Sequence, residues 1–164
     1  FWESLNFSSL HNLPIIFICE NNEYAIYTHQ NKRALGDPIV DRANSFGVNA
    51  YKVKGNKTED FYNTTLDCVN KIEKKSKPYL IECMTTRWKD HVGVGDALHL
   101  NYRDHEEINR AVESDDLKNL EKQLPEEIVN KIKLRVQEEI DKAVIFAENG
   151  KFPDSKELNE NVYG

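Results

Sequence analysis

Residues 13–27 read LPIIFICENNEYAIY. Pro14-Ile15-Ile16-Phe17-Ile18-Cys19 is a short continuous apolar run with β-branched and aromatic side chains and no helical spacing. Such a run predicts a strand buried on both faces, as in a parallel sheet. Pro14 has no N–H to give a ladder and fits only at the start. The strand runs off its carboxyl end into Glu20-Asn21-Asn22. In open α/β sheets ligands bind outside the carboxyl ends of strands. An asparagine carbonyl is a hard oxygen donor suited to Mg²⁺ or Ca²⁺. The backbone carbonyl of Tyr24, two residues on, offers a second oxygen. Taken alone, Asn-Asn after a strand is also common turn chemistry.

The flanks fit this strand. Trp2, Leu5, Leu10 and Leu13 are spaced roughly as in a helix, which Pro14 ends. Downstream, 28–38 is polar, with a turn signal at Gly36-Asp37-Pro38. A short helix is expected over 41–46, closed by Gly47. A second strand follows over 48–53 and ends at Gly55. Thr58 opens a helix to about Lys75, with Phe61, Leu66, Val69 and Ile72 on its apolar side. Tyr79–Met84 is a third strand, entered through Pro78. Strand, helix and strand joined by short links predict right-handed βαβ units. The third strand ends in TTRWKDHVGVGD, residues 85–96, a polar loop with one arginine, Arg87, and one histidine, His91. This topology sets the loop on the sheet edge that carries Asn22. A lone loop histidine is more often a surface residue, and Asp96 and Asp104 are ordinary ion-pair partners for Arg87 and Arg103. His11, His29, His99 and His105 read as surface.

Asp104 caps a helix to about Val112, and Asp115 begins another whose apolar side is Leu117, Leu120 and Leu124. Pro125-Glu126-Glu127 opens a long helix, with Pro at its first position and acids in its first turn. Ile128, Ile132, Val136, Ile140 and Val144 form a stripe along it, and Asn149-Gly150 closes it. A tail follows over 151–164. The expected fold is α/β: a mostly parallel sheet with helices on both faces over 1–112, and a helical extension and tail, 113–164, packed on the same domain.

With 164 residues the chain can bury one real core. Thirty per cent of the residues are charged and the formal net charge is −6, so there is no basic footprint for nucleic acid. No apolar run is long enough to span a bilayer, and no signal peptide is visible. Cys19, Cys68 and Cys83 are widely spaced in apolar contexts, which argues against disulfides and a cysteine zinc site and for a reducing compartment. The expected location is cytoplasmic, or the mitochondrial matrix if the source is eukaryotic. A dinucleotide fingerprint Gly-x-Gly-x-x-Gly does not occur.

PIIFICENNEYAI resembles the close of the diphosphate-binding motif of thiamine diphosphate enzymes. More closely, it resembles the alpha subunit of the E1 component of 2-oxo acid dehydrogenases of pyruvate, acetoin or branched-chain type. That motif opens with Gly-Asp-Gly and closes with Asn-Asn. Here the close is present and the opening is not, and FWESLNFSSLHNLP resembles the later part of the intervening helix. The loop is the second carrier: Thr85, Arg87 and His91 match, as do Tyr102-Arg103 and Glu106-Glu107. Thr86 replaces the family's usual Tyr, and Asp90 the usual Gly before the His. The resemblance covers about residues 1–125.

The resemblance implies the C-terminal part of an E1 alpha-type subunit with thiamine diphosphate and Mg²⁺ as cofactors. The Asn22 side chain and the Tyr24 backbone carbonyl are then metal ligands, with the family's upstream Asp as the third. Ala25 and Ile26 line the cofactor. His91 is the catalytic donor near the diphosphate and the reacting centre. Arg87 is also on the cofactor side, and Arg87, Tyr102 and Arg103 order the loop. The parent protein decarboxylates a 2-oxo acid or cleaves acetoin and passes the acyl group to a lipoyl-bearing acyltransferase. It needs a beta-type E1 subunit, in a heterotetramer, and the chain alone is expected to be inactive. Two other readings are a non-catalytic structural remnant of that fold and an unrelated nucleotide-binding Rossmann-like domain.

Overall fold

The strands β4 (Asn49–Lys54) and β5 (Tyr79–Met84) run parallel and are joined by helix α3 (Thr58–Lys74), the βαβ unit that the sequence predicts. The computed structural model describes residues 1–55, 57–95, 102–160 and 162; the expectations for Asp96 and His99 lie outside them. Strand β1 (Ile16–Asn21) pairs parallel with the other side of β5, so the described sheet has the order β1-β5-β4. The register sets Ile18 beside Ile81, and Cys19 and Lys52 on either side of Glu82. Between β1 and β4 lie a short antiparallel pair, β2 (Tyr24–Ala25) and β3 (Thr28–His29), a 3₁₀ turn (Gln30–Lys32) and helix α2 (Val40–Ser45).

Side-chain alternation along the central strand divides the core in two. On one face Leu80 packs with Val48, with Ala43 of α2 and with Leu5 of helix α1 (Trp2–Leu10). On the other face Tyr79 and Ile81 meet Cys68 of α3, with Phe61 and Ile72 beside them. Helices therefore cover both faces, and β5 is buried along almost its whole length. β1 departs from the expectation of burial on both faces. Its Ile16 packs into the α3 cluster, yet Ile18 on the same face is 53% exposed and Glu20 is exposed. β1 is an edge strand among the described residues, and α3 reaches only its beginning.

Two glycines have specific tasks. Gly47 follows α2 in the left-handed region, φ +77°, as a helix-closing residue should. Gly55 brings the end of β4 against the end of β5. Its N–H donates to the Met84 carbonyl at 2.6 Å, and a Cβ there would overlap that carbonyl.

Helices α4 (His105–Glu113), α5 (Asp116–Glu121) and α6 (Glu126–Glu148) follow. Asp104 caps α4 as predicted, its side chain accepting from the Glu106 N–H at 2.9 Å. Pro125 is the residue before α6 and not its first turn, because its ψ of 137° is extended. The chain divides into two compact units, Phe1–Asn119 and Leu120–Gly164. Within the second, α6 leaves Ile128, Ile132, Val136, Ile140 and Val144 between 44% and 50% exposed. Among the described residues no helix is long and apolar enough to cross a membrane.

Leu80 has no exposure, so Leu80→Ala should cost about 3 kcal/mol in urea unfolding of the intact subunit. Leu35, 95% exposed, should tolerate alanine to within about 0.5 kcal/mol.

Candidate functional site

The end of β1 is a turn held almost entirely by side chains. The Asn21 Oδ1 accepts from the Glu23 N–H at 2.8 Å, and the Asn22 Oδ1 accepts from the Tyr24 N–H at 2.9 Å. These are successive Asx turns, in which an asparagine oxygen stands in for a backbone carbonyl. Glu23 takes φ +64° between them. Beyond the turn, β2 folds back on β3, and Ile26 at the tip holds φ +54°. That is a strained value for a β-branched residue. The Gln30 N–H donates to the Glu23 carbonyl at 2.6 Å and ties the hairpin down.

A buried arginine buttresses this turn from far along the chain. Arg103 is 3% exposed. Its Nη2 donates to the Asn22 carbonyl at 2.7 Å and its Nη1 to Glu107 Oε1 at 3.0 Å. Its guanidinium lies 4.1 Å from the centre of the Tyr24 ring. Tyr102 adds ring contacts with Tyr24 and Tyr27, at 5.5 and 5.0 Å between centroids. The ion-pair partner of Arg103 is thus Glu107, one helical turn on, and not Asp104, whose side chain is committed to the helix cap.

Beside the turn lies a cleft of about 330 Å³ lined by Glu20, Asn22, Thr85, Thr86, Arg87 and Lys89, with Trp88. The Thr85 N–H donates to the Asn21 carbonyl at 2.9 Å, which joins the end of β5 to the end of β1. The cleft thus forms where the two parallel strands end, as the topology rule requires. Arg87 lines it, and its Nε is a buried donor without a partner. Its Nη1 lies 3.1 Å from His91 Nδ1. A guanidinium only donates, so Nδ1 accepts and the imidazole proton sits on Nε2.

The expected site residues therefore come together in part. Asn22 and Arg87 share the cleft, and His91 joins them through Arg87. His91 itself is exposed, as are Ala25 and Ile26 at the hairpin. Tyr24 packs against Arg103 and His29, and burial followed by the nearby Glu107 raises its phenol pKa. His29 is a correction to the surface reading: it is half-buried, stacks edge-on to Tyr24 at 4.9 Å, and caps the 3₁₀ turn through Nδ1. The sequence gives Asn21 no role beyond the asparagine pair and does not mark Gln30 or Glu82. The available signal was Glu82, a carboxylate inside an otherwise apolar strand.

The donors fit a diphosphate with a hard cation. Asn22 brings a carbonyl oxygen that uses one lone pair on Tyr24, and Arg87 brings an unmatched buried N–H. Among the described residues no group of three or more His, Cys, Asp or Glu could hold a metal. A metal here would take amide and backbone oxygens and the oxygens of its own ligand, as Mg²⁺ on phosphates does.

The sequence matches one family model, dehydrogenase E1 component, over residues 1–156. It is 31% identical to the pyruvate dehydrogenase E1 component subunit alpha of Rickettsia typhi, over 99% of this chain and 51% of that protein. It is 32% identical to the alpha subunit of acetoin:2,6-dichlorophenolindophenol oxidoreductase of Bacillus subtilis, over 99% of this chain and 50% of that one. The 2-oxoisovalerate dehydrogenase subunit alpha of Bacillus subtilis is 35% identical over 71% of this chain and 35% of its own length. The chain belongs to the dehydrogenase E1 component family. Membership removes the reading as an unrelated Rossmann-like domain. The chain spans about half the length of the curated relatives that it matches most fully.

Arg103→Met strands the Asn22 carbonyl and unpairs Glu107. It should lower the stability of the intact subunit by about 2 to 3 kcal/mol in chemical denaturation. An unchanged midpoint would show that the turn does not depend on Arg103.

Proposed function

We propose that this chain forms the diphosphate-binding side of an E1 alpha-type subunit, in an enzyme that decarboxylates a 2-oxo acid or cleaves acetoin. The observation that carries the reading is the Asn22 turn beside the Arg87 cleft. Asn22, whose amide oxygen accepts from the Tyr24 N–H, and Arg87, whose Nε is buried and unmatched, line one cleft at the ends of two parallel strands. Thiamine diphosphate, when bound, supplies the nucleophilic carbon and the electron sink that cleavage beside a carbonyl needs.

The residues of this chain do the holding. Asn22 Oδ1 and the Tyr24 carbonyl are the proposed Mg²⁺ ligands, and Arg87 Nε is a donor to phosphate oxygen. Arg103 and Tyr102 fix the turn in advance, so little ordering is left to occur on binding. Ala25 and Ile26, at the hairpin, are proposed to border the cofactor. His91, held through Nδ1 by Arg87, keeps an Nε2–H that can donate to phosphate or to the reacting oxygen. It is the proposed catalytic residue.

The wider assembly belongs to the same proposal. The partner is a beta-type E1 subunit, in a heterotetramer, and the acyl acceptor is a lipoyl-bearing acyltransferase. The half-exposed apolar stripe of α6 supports contact with more protein than this chain. The free thiols of Cys19, Cys68 and Cys83 suit a reducing, cytoplasmic compartment.

The test is calorimetric titration of Mg²⁺ and thiamine diphosphate into the complete subunit, co-expressed with its beta-type partner. Binding should be micromolar or tighter, and Asn22→Ala should weaken it about 100-fold or more, since even residues behind a ligand are worth 10- to 100-fold. Absence of binding by the intact complex would leave a family member that keeps the fold without the chemistry.

A further inference from the structure

Glu82 sits in the middle of the sheet, where a parallel strand ordinarily takes valine or isoleucine. It has no exposure. A carboxyl there costs stability that an apolar side chain of similar volume would not. Its contacts explain its presence. Glu82 Oε1 accepts from Asn21 Nδ2 at 2.7 Å, and the same amide nitrogen donates to Gln30 Oε1 at 2.9 Å. The other end of the Asn21 amide, Oδ1, holds the Glu23 N–H. Asn21 is 7% exposed, so its amide plane is fixed by protein and not by bulk water.

We propose that Glu82 is a positioning residue that sets the turn from Asn21 to Tyr24 by gripping the Asn21 amide from inside the sheet. The proposal rests on the cofactor reading above, because what the turn presents is the Asn22 and Tyr24 oxygens. The path is continuous: carboxyl of the central strand, amide of the edge strand, Glu23 N–H, and then the peptides that carry the ligand oxygens.

The rest of the cluster defines the state of that carboxyl. The charged groups around it are Lys52 of β4 and Asp37, on the segment before α2. Lys52 Nζ is 2.7 Å from Asp37 Oδ2 and 3.7 Å from Glu82 Oε2. Glu82 Oε2 and Asp37 Oδ1 are both buried without a hydrogen-bond partner. Lys52 holds the Asp37 carboxyl below its usual range, whereas burial pushes Glu82 up. Glu82 Oε1 is thus tied to Asn21 while its Oε2 faces the Lys52–Asp37 pair. Glutamine keeps an oxygen that can accept from Asn21 Nδ2; methionine keeps only the shape.

The experiment uses the complete subunit with its beta-type partner and reads two quantities. These are the Kd for thiamine diphosphate with Mg²⁺ by calorimetry, and the melting temperature of the cofactor-free complex. Glu82→Met should weaken cofactor binding about tenfold or more, the loss expected when a buried hydrogen bond is broken. Glu82→Gln should restore it to within about threefold. Asn21→Ala should match the methionine loss, and the double variant should be no worse than either single one, as for residues acting through one path. Should Glu82→Met fail to assemble, Asn21→Ala alone reads the same link. Wild-type binding by Glu82→Met or by Asn21→Ala overturns the inference, whatever happens to the melting temperature, and so do fully additive losses. A wild-type complex that binds no cofactor overturns the functional reading and this inference with it.

Discussion

The end of β1 must turn while partly buried, and each polar group it carries there needs a partner within the protein. An unpaired buried N–H or carbonyl costs about 1 to 3 kcal/mol, so a few failures in one turn would consume much of a domain's stability. The structure meets this constraint with side chains. Asn21 and Asn22 each accept the N–H two residues on, Arg103 takes the Asn22 carbonyl, and only the Asn21 carbonyl goes to a backbone donor, the Thr85 N–H. Thr85 and Arg103 come from far along the chain, and they tie the end of β5 and the segment before α4 to this turn.

The same constraint links stability to chemistry. Groups that satisfy the turn also fix the Asn22 and Tyr24 oxygens that we propose as metal ligands, and the Nε donors of Arg87 and Arg103 stay buried and unmatched. A rigid scaffold with a few unmet polar groups is the ordinary physical form of a small-molecule site. The positive φ values at Glu23 and Ile26 belong to this pattern, since backbone strain persists where surrounding contacts over-determine it.

Much of this was legible in the sequence. Apolar runs bounded by Pro and Gly marked the parallel strands, and Tyr79–Met84 has the predicted bounds. The asparagine pair marked the candidate site, because strand ends and asparagine chemistry are local facts. Three features were not legible, each for a physical reason. The β2–β3 hairpin turns at Ile26-Tyr27, which lacks the glycine or asparagine that announces a tight turn. The exposure of Ile18 depends on how far α3 reaches, a tertiary matter that no run of residues encodes. The Arg103 bond to Asn22 and the Glu82 bond to Asn21 span 81 and 61 residues, beyond any local pattern. A charged residue inside an apolar strand was the one local sign of the second.

We propose that the Asn22 turn holds a metal. The most direct test is anomalous scattering from Mn²⁺ in crystals of the intact complex grown with thiamine diphosphate. A metal held as proposed gives a peak within coordinating distance of both Asn22 Oδ1 and the Tyr24 carbonyl oxygen, about 2.2 Å from each. A peak elsewhere, with Asn22 still bonded only to its own turn, would contradict it.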